Sequence, residues 1–168
     1  MQQMDDLQRL TASQGVLLYR LVDLGYLTRA QVDELITRLV RERLIKAQEY
    51  LAFAGQLDAS ATLNLPHIVS RCYYAMYHAA RAVVLHVRRA DLDDHERLPA
   101  ALGQILGRPY GDMLGRWREA RNQVDYSPYP PGDLRQQALA AVSDAELLLT
   151  ACREELRKRG VSRGSCEN

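Results

Sequence analysis

Apolar side chains in this chain recur at spacings of three and four rather than in alternation, over nearly its whole length. That period is the repeat of an α-helix face, so an all-α fold is expected. Gly and Pro number only 10 and 6 among 168 residues, too few for the closely spaced turns of a β fold. Leu7, Leu10, Leu17, Leu18 and Leu21 mark a first helix, and Gly25 supplies a turn. Thr28 and Gln31 then have the spacing of a capping box, with Leu27 placed to staple onto Val32, which predicts a second helix from Arg29. That helix either continues through Leu35, Leu39, Leu44, Ile45 and Tyr50 or breaks near residue 41.

The polar stretch from Asp58 to Asn64 reads as a loop, and Pro66 opens a long helix to about Arg88. Asp91 to Asp94 interrupt it. Shorter helices follow near Pro99 to Leu106 and Gly111 to Tyr126, and SPYPPGD breaks the pattern again. Asp133 caps a last helix carrying Leu134, Ala138, Val142, Ala145, Leu148, Cys152 and Leu156 on one face. The expected organisation is an amino-terminal helical hairpin over 1–40, an antiparallel bundle of four to five helices over 41–160, and a disordered tail over 161–168.

A chain of this length is the size of one domain, or of one domain with a short appendage, and two enzyme domains are not expected. With 22 basic and 21 acidic side chains, bulk charge argues for neither nucleic acid nor membrane as a partner. Cys72, Cys152 and Cys166 include no CxxC pair, so neither a disulfide framework nor a thiolate zinc site is expected, and a reducing cytoplasmic location is. The acidic start MQQMDD does not resemble a signal peptide, and no apolar run approaches a membrane span.

The strongest local asymmetry lies between Ala59 and Ala90, which contain no carboxylate. At 100° per residue, His67, Arg71, Tyr74, His78, Arg81, Leu85 and Arg88 fall on one stripe. Val69, Cys72, Tyr73, Met76, Ala80, Val83, Val84 and Val87 face the other way, toward a core. Cations, imidazoles and a tyrosine on one strip suit a phosphate-bearing ligand, with Arg71, Tyr74, Arg81 and Arg88 as its candidate contacts. The plainer reading is that these groups pair with carboxylates of neighbouring helices or face water. Tyr73 and Tyr77 read as core residues with hydroxyls at its rim. The histidines lack a partner ligand at i+4, so no metal and no cofactor is expected.

The strings SRCYYAMYHAARAVV at 70–84, DDHERLPAAL at 93–102, WREARNQVDYSPY at 117–129 and the closing helix QALAAVSDAELLLTACREEL resemble the HEPN superfamily, in its small standalone prokaryotic branch. The resemblance runs in order over roughly residues 42 to 158. It implies a helical bundle that forms a homodimer, often encoded beside a minimal nucleotidyltransferase as toxin and antitoxin. Active members are metal-independent endoribonucleases built on Arg, four to six residues, then His. Arg would hold the scissile phosphate and His would move protons. Here Arg121 and Asn122 match the start of that motif, while Tyr126 or a neighbour occupies the histidine position. Bare Arg-to-His spacing is uninformative, because Arg71 with His78, Arg81 with His86, and Arg88 or Arg89 with His95 also satisfy it.

Three functions follow. The first is a dimer that binds RNA or a nucleotide through Arg121, Asn122, Asp125 and Tyr126 and works with a nucleotidyltransferase partner, its nuclease motif being degenerate. Tyr126 and Tyr129 resemble the site of adenylylation in such pairs. The second is an active ribonuclease toxin in which His78 or Asp125 replaces the motif histidine. Against any role, Arg121 and Asp125 also have the spacing of a simple i,i+4 ion pair. The third is an assembly protein whose amino-terminal hairpin docks a partner.

Overall fold

The computed structural model describes residues 15–129 and 132–161. Its helices are α1 (Gly15–Asp23), α2 (Arg29–Gln56), α3 (Leu65–Arg88), α4 (Leu98–Leu106), α5 (Arg108–Tyr126) and α6 (Leu134–Lys158), with a 3-10 turn at Thr62–Asn64. No strand occurs among the described residues. Of the expected tail only Val161 is described, and it packs against the core; the rest of the tail and the start of the first helix, with Leu7 and Leu10, lie outside the described residues.

Local chemistry sets most of the boundaries. Gly25 takes φ +79 in the turn after α1. The Thr28 hydroxyl accepts from the Gln31 amide at 3.2 Å, and the Gln31 side chain accepts from the Thr28 amide at 2.8 Å, which completes the capping box. Pro66, Pro99 and Pro109 each sit in the first turn of a helix, where a missing amide proton costs nothing. Pro109 places the start of α5 at Arg108, three residues before the expected Gly111. The Asp133 carboxylate accepts from the amides of Arg135 and Gln136 at 2.9 and 3.1 Å and starts α6.

The helix from Arg29 does not break near residue 41. It runs unbroken to Gln56, so the expected boundary at residue 40 falls inside α2. Packing explains the continuity. Val32, Ile36, Val40, Ala47 and Ala54 are buried along one side and join a single core with α3 and α6.

α3 is the central element. The face expected to be core is buried at Val69, Cys72, Tyr73, Met76, Ala80, Val83 and Val84, but so are Ile68, Ala75, Ala79, Ala82 and Leu85. Leu85, placed with the cations by helical geometry, therefore belongs to the core, because neighbours cover α3 on most sides. Three small residues, Ala75, Ala79 and Ala82, leave room for that approach. Antiparallel neighbours flank it. Arg43, Tyr50 and Phe53 of α2 meet Arg81, His78 and Arg71 of α3 in descending order. Similarly, Arg121 and Asp125 of α5 meet Tyr74 and Ser70.

Polar pins close the bundle. The Asp91 side chain, 2% exposed, accepts from Arg43 of α2 at 2.5 Å and from Nε of Arg81 of α3 at 3.2 Å, fastening the loop after α3 to two helices. Trp117 donates its indole N–H to Asp144 of α6 at 2.8 Å. α4 and α5 cross closely at two glycines: a Cβ on Gly111 would lie 2.6 Å from the Pro99 carbonyl oxygen and 3.0 Å from the Gly103 Cα. No helix among the described residues is long and apolar enough to cross a membrane.

Candidate functional site

Where α5 crosses α3, the Arg121 guanidinium is held on three sides. One terminal nitrogen donates to the Tyr74 hydroxyl at 2.5 Å, and the other donates to the Asn122 side-chain oxygen at 3.0 Å. Nε lies 2.8 Å from the Asp125 carboxylate, though its N–H does not point at that oxygen. Ser70 of α3 donates to the same carboxylate at 3.4 Å. The cation also lies over two rings, 5.3 Å from the centre of Tyr74 and 5.5 Å from that of Tyr126. Burial works against the charge of Arg121, but Tyr74 and Asp125 outweigh it and hold its pKa above the usual value.

The i,i+4 ion pair of Arg121 and Asp125 thus exists, and it is built into a contact between helices instead of standing alone on a surface. Trp117 is buried on the other side of α5, and Ala120 and Val124 pack partly against the core, as their spacing predicts. Beyond Arg121 the helix ends in open ground. Tyr126 is 74% and Tyr129 87% exposed. Glu119, Asn122, Gln123, Tyr126, Ser127 and Pro128 line a shallow groove of about 570 Å³, open to solvent. Arg121, Asn122, Asp125, Tyr126 and Tyr74 are therefore brought together.

The two histidines nearest this cluster differ in kind. His78 stacks on Tyr50 of α2, centres 5.5 Å apart and planes at 8°, and meets the edge of Tyr77 at 5.4 Å. Its Nδ1 is buried without a partner among the described residues. Burial, followed by the charges of Arg43, Arg81 and Lys46, pushes its pKa down to about 4. His95, in the loop before α4, lies flat on Tyr77, centres 4.1 Å apart and planes at 12°. Its Nδ1 is 2.6 Å from the Tyr73 hydroxyl, while Nε2 makes no hydrogen bond among the described residues. Burial lowers the pKa of His95, and Arg121 and Arg81 lower it further.

Tyr73 and Tyr77 are core residues with hydroxyls at its rim, as expected. Tyr73 is 1% exposed and bound to His95, and Tyr77 donates to the Asp93 carbonyl at 2.8 Å. Sequence reasoning passed over two members of the cluster. His95 was only one of several Arg-to-His spacings, yet the fold carries its loop back over α3. Arg118 was not singled out, although three residues before Arg121 it shares that residue's face of α5. Arg118 reaches the His95 carbonyl at 3.5 Å, its Nε is buried without a partner, and no carboxylate among the described residues lies within salt-bridge distance of it.

The basic stripe of α3 does not act as one surface. Arg71 turns toward α2, its cation 5.7 Å from the centre of Tyr50 and 5.5 Å from that of Phe53, beside a second open groove that includes Lys46 and Glu49. Arg81 is tied to Asp91, and Arg88 donates to Gln104 at 2.6 Å. Only His67 and Arg88 of the stripe are exposed. Arg81 thus pairs with a carboxylate, though one in the loop after α3 and not on a neighbouring helix, and Arg88 is exposed and meets a neutral amide.

Among the described residues no cluster of His, Cys, Asp and Glu could hold a metal ion. Cys72 and Cys152 are buried, and burial pushes the Cys72 thiol up to about 12, which removes it as a nucleophile near neutrality. No family model matches the chain, and no curated protein is found to match it.

Proposed function

We propose that this protein binds RNA or a nucleotide at the end of α5, with Arg121 meeting a phosphate and Tyr126 meeting a base. The observation that carries this reading is the Arg121 guanidinium lying on the ring of an exposed Tyr126 at the edge of an open groove. An arginine supplies a permanently charged fork for phosphate, and a solvent-facing aromatic supplies a stacking surface that any base can use. Asn122 adds an amide beside both. Tyr74 and Asp125 hold the guanidinium in place before a ligand arrives, which lowers the entropic cost of binding.

The resemblance to the HEPN superfamily extends the proposal to a cytoplasmic homodimer acting with a nucleotidyltransferase in a toxin-antitoxin or defence system. Tyr126 and Tyr129 are then the candidate sites of modification, their exposure being what a modifying enzyme requires. The missing motif histidine favours binding over cleavage. A second reading, a metal-independent endoribonuclease, draws on one observation: an imidazole, that of His95, stands close enough to Arg121 to feel its charge.

The test is to incubate the purified full chain with a labelled single-stranded RNA pool in excess EDTA, beside Arg121→Ala. Binding without cleavage, weakened at least tenfold by the substitution, is the expected result. Cleavage lost in Arg121→Ala would select the ribonuclease. Neither binding nor cleavage would overturn both and favour an assembly role.

A further inference from the structure

Three arginines, Arg121, Arg81 and Arg118, act on the imidazole of His95, and their charges are unequally compensated. Arg81 is neutralised by Asp91, and Arg121 is faced by Asp125. Arg118 has no carboxylate within salt-bridge distance among the described residues, and its Nε is buried and unpartnered, as is the in-line direction of the Arg121 Nε. A buried guanidinium N–H without an acceptor is costly, and in Arg118 it accompanies a charge that no carboxylate among the described residues compensates. The imidazole beside these groups is placed by Tyr73 at Nδ1 and by the face of Tyr77, and its Nε2 makes no hydrogen bond among the described residues. Each terminal nitrogen of Arg121 keeps one N–H beyond its bond to Tyr74 or Asn122, so the remaining N–H groups of two guanidinium ions and a third, titratable donor are offered to an oxyanion.

We propose that His95, Arg118 and Arg121 form a binding site for a phosphate-type oxyanion in which anion binding and protonation of His95 favour each other. The proposal rests on the reading that Arg121 serves a phosphate, and it adds a pH-linked recognition group that the Arg121 cluster alone does not contain. Its physics is linkage. With the site empty, the groups facing His95 are Tyr73, Tyr77, Arg81 and His78 from α3, Arg118 and Arg121 from α5, and Asp94 from its own loop. Burial, Arg121 and Arg81 push its pKa down, Asp94 opposes them, and Arg118 adds a smaller push in the downward direction. An oxyanion between Arg118 and Arg121 cancels the repulsion and gives the imidazolium a partner. By reciprocity, protonation then tightens anion binding by the same factor. Uptake of one proton allows affinity to rise up to about tenfold for each pH unit of acidification.

His78 cannot take this part, although it lies on the neighbouring turn of α3. It is packed under Tyr50, and its buried Nδ1 meets no partner.

The test follows the histidine ring protons of the full chain by NMR between pH 5 and 8, with and without sodium sulfate, whose charge is constant over that range. His95 is assigned by the signal missing in His95→Gln. The midpoint of His95 should rise by at least half a pH unit in sulfate, and Arg118→Gln should abolish the rise while leaving the melting temperature nearly unchanged. A parallel titration measures affinity for a mixed-sequence single-stranded RNA oligonucleotide; acidification should tighten it more steeply in the native chain than in His95→Gln. A His95 midpoint indifferent to both sulfate and RNA overturns the proposal. If RNA binds through Arg121 with a pH slope unaltered in Arg118→Gln and His95→Gln, this proposal falls and the RNA reading stands. If sulfate moves the His95 midpoint but RNA does not bind, the oxyanion site stands and the RNA reading falls. Should His95→Gln fail to fold, the sulfate comparison between the native chain and Arg118→Gln decides by itself.

Discussion

Arg121 and Tyr74 meet across the contact of α5 with α3, a guanidinium nitrogen 2.5 Å from the phenol oxygen and the cation 5.3 Å from the centre of the ring. The phenol oxygen accepts a hydrogen bond and the ring offers its face, so the two helices position the arginine jointly. Tyr74→Phe keeps the face and removes the acceptor. It should cost about 1 kcal/mol of stability, read by urea denaturation, and weaken RNA binding several-fold. Tyr126→Ala acts differently, since that ring is 74% exposed. Its melting temperature should not change, whereas RNA affinity, read by fluorescence anisotropy, should fall by about 1–3 kcal/mol if a base stacks there.

The side chain of Asp91 is 2% exposed and faces Arg43 and Arg81, whose side chains are 12% and 13% exposed. Asp91→Asn would leave two buried cations against each other with no counter-charge. Loss of one member of a buried ion pair costs about 3–5 kcal/mol, and a fall of that size in unfolding free energy is expected. A loss below 1 kcal/mol would mean that water reaches the two arginines freely.

Alanine in place of a helical glycine ordinarily stabilises a protein by up to about 1 kcal/mol. Gly55, with open space where its Cβ would go, should follow that rule. Gly111 should reverse it, because its Cβ would stand 2.6 Å from the Pro99 carbonyl oxygen, backbone that cannot turn aside. Gly111→Ala should lower stability by about 1–3 kcal/mol as α4 and α5 are forced apart. Thermal denaturation of the two variants side by side checks the contrast.

Stability should also fall on mild acidification. His78 is held neutral, its pKa pushed from an ordinary 6.5 to about 4 by burial and by Arg43, Arg81 and Lys46. The unfolded chain takes up a proton near pH 6.5 that the folded chain refuses until about pH 4, so stability rises with pH across that interval. The contribution is complete above the upper limit and lost as pH falls through the window. His78→Phe keeps the stack on Tyr50 and cannot titrate, so its unfolding free energy should vary less with pH between 4 and 6.5. An unchanged slope would place the titration elsewhere, at His86 or His95, whose pKa values burial also lowers.

Local signals were legible wherever a few adjacent residues settle the backbone. Thr28 with Gln31, Pro66, Pro99 and Asp133 mark helix starts because capping and a missing amide proton are interactions within one turn. The continuity of α2 was not legible, since nothing near residue 41 says whether the next turn will find a core to bury against. Leu85 was misplaced for the same reason: helical geometry assigns a side to a residue, but not how many sides are covered. Half of the candidate site could be read, because Arg121, Asn122, Asp125 and Tyr126 lie within six consecutive residues of one helix.

His95 and Arg118 are the other half, and only the tertiary structure joins them to Arg121. His95 stands 22 residues from the Tyr73 hydroxyl that orients it and 23 from Arg118. No spacing rule spans such separations, for they depend on where the loop held by Asp91 returns over α3. The helical class, the starts of most helices and the segment that carries a paired arginine all follow from local residue order. Packing decided which charges are neutralised and which are left open. Neutralisation depends on distances of a few ångströms between helices, and those are set by how side-chain volumes fill a shared core.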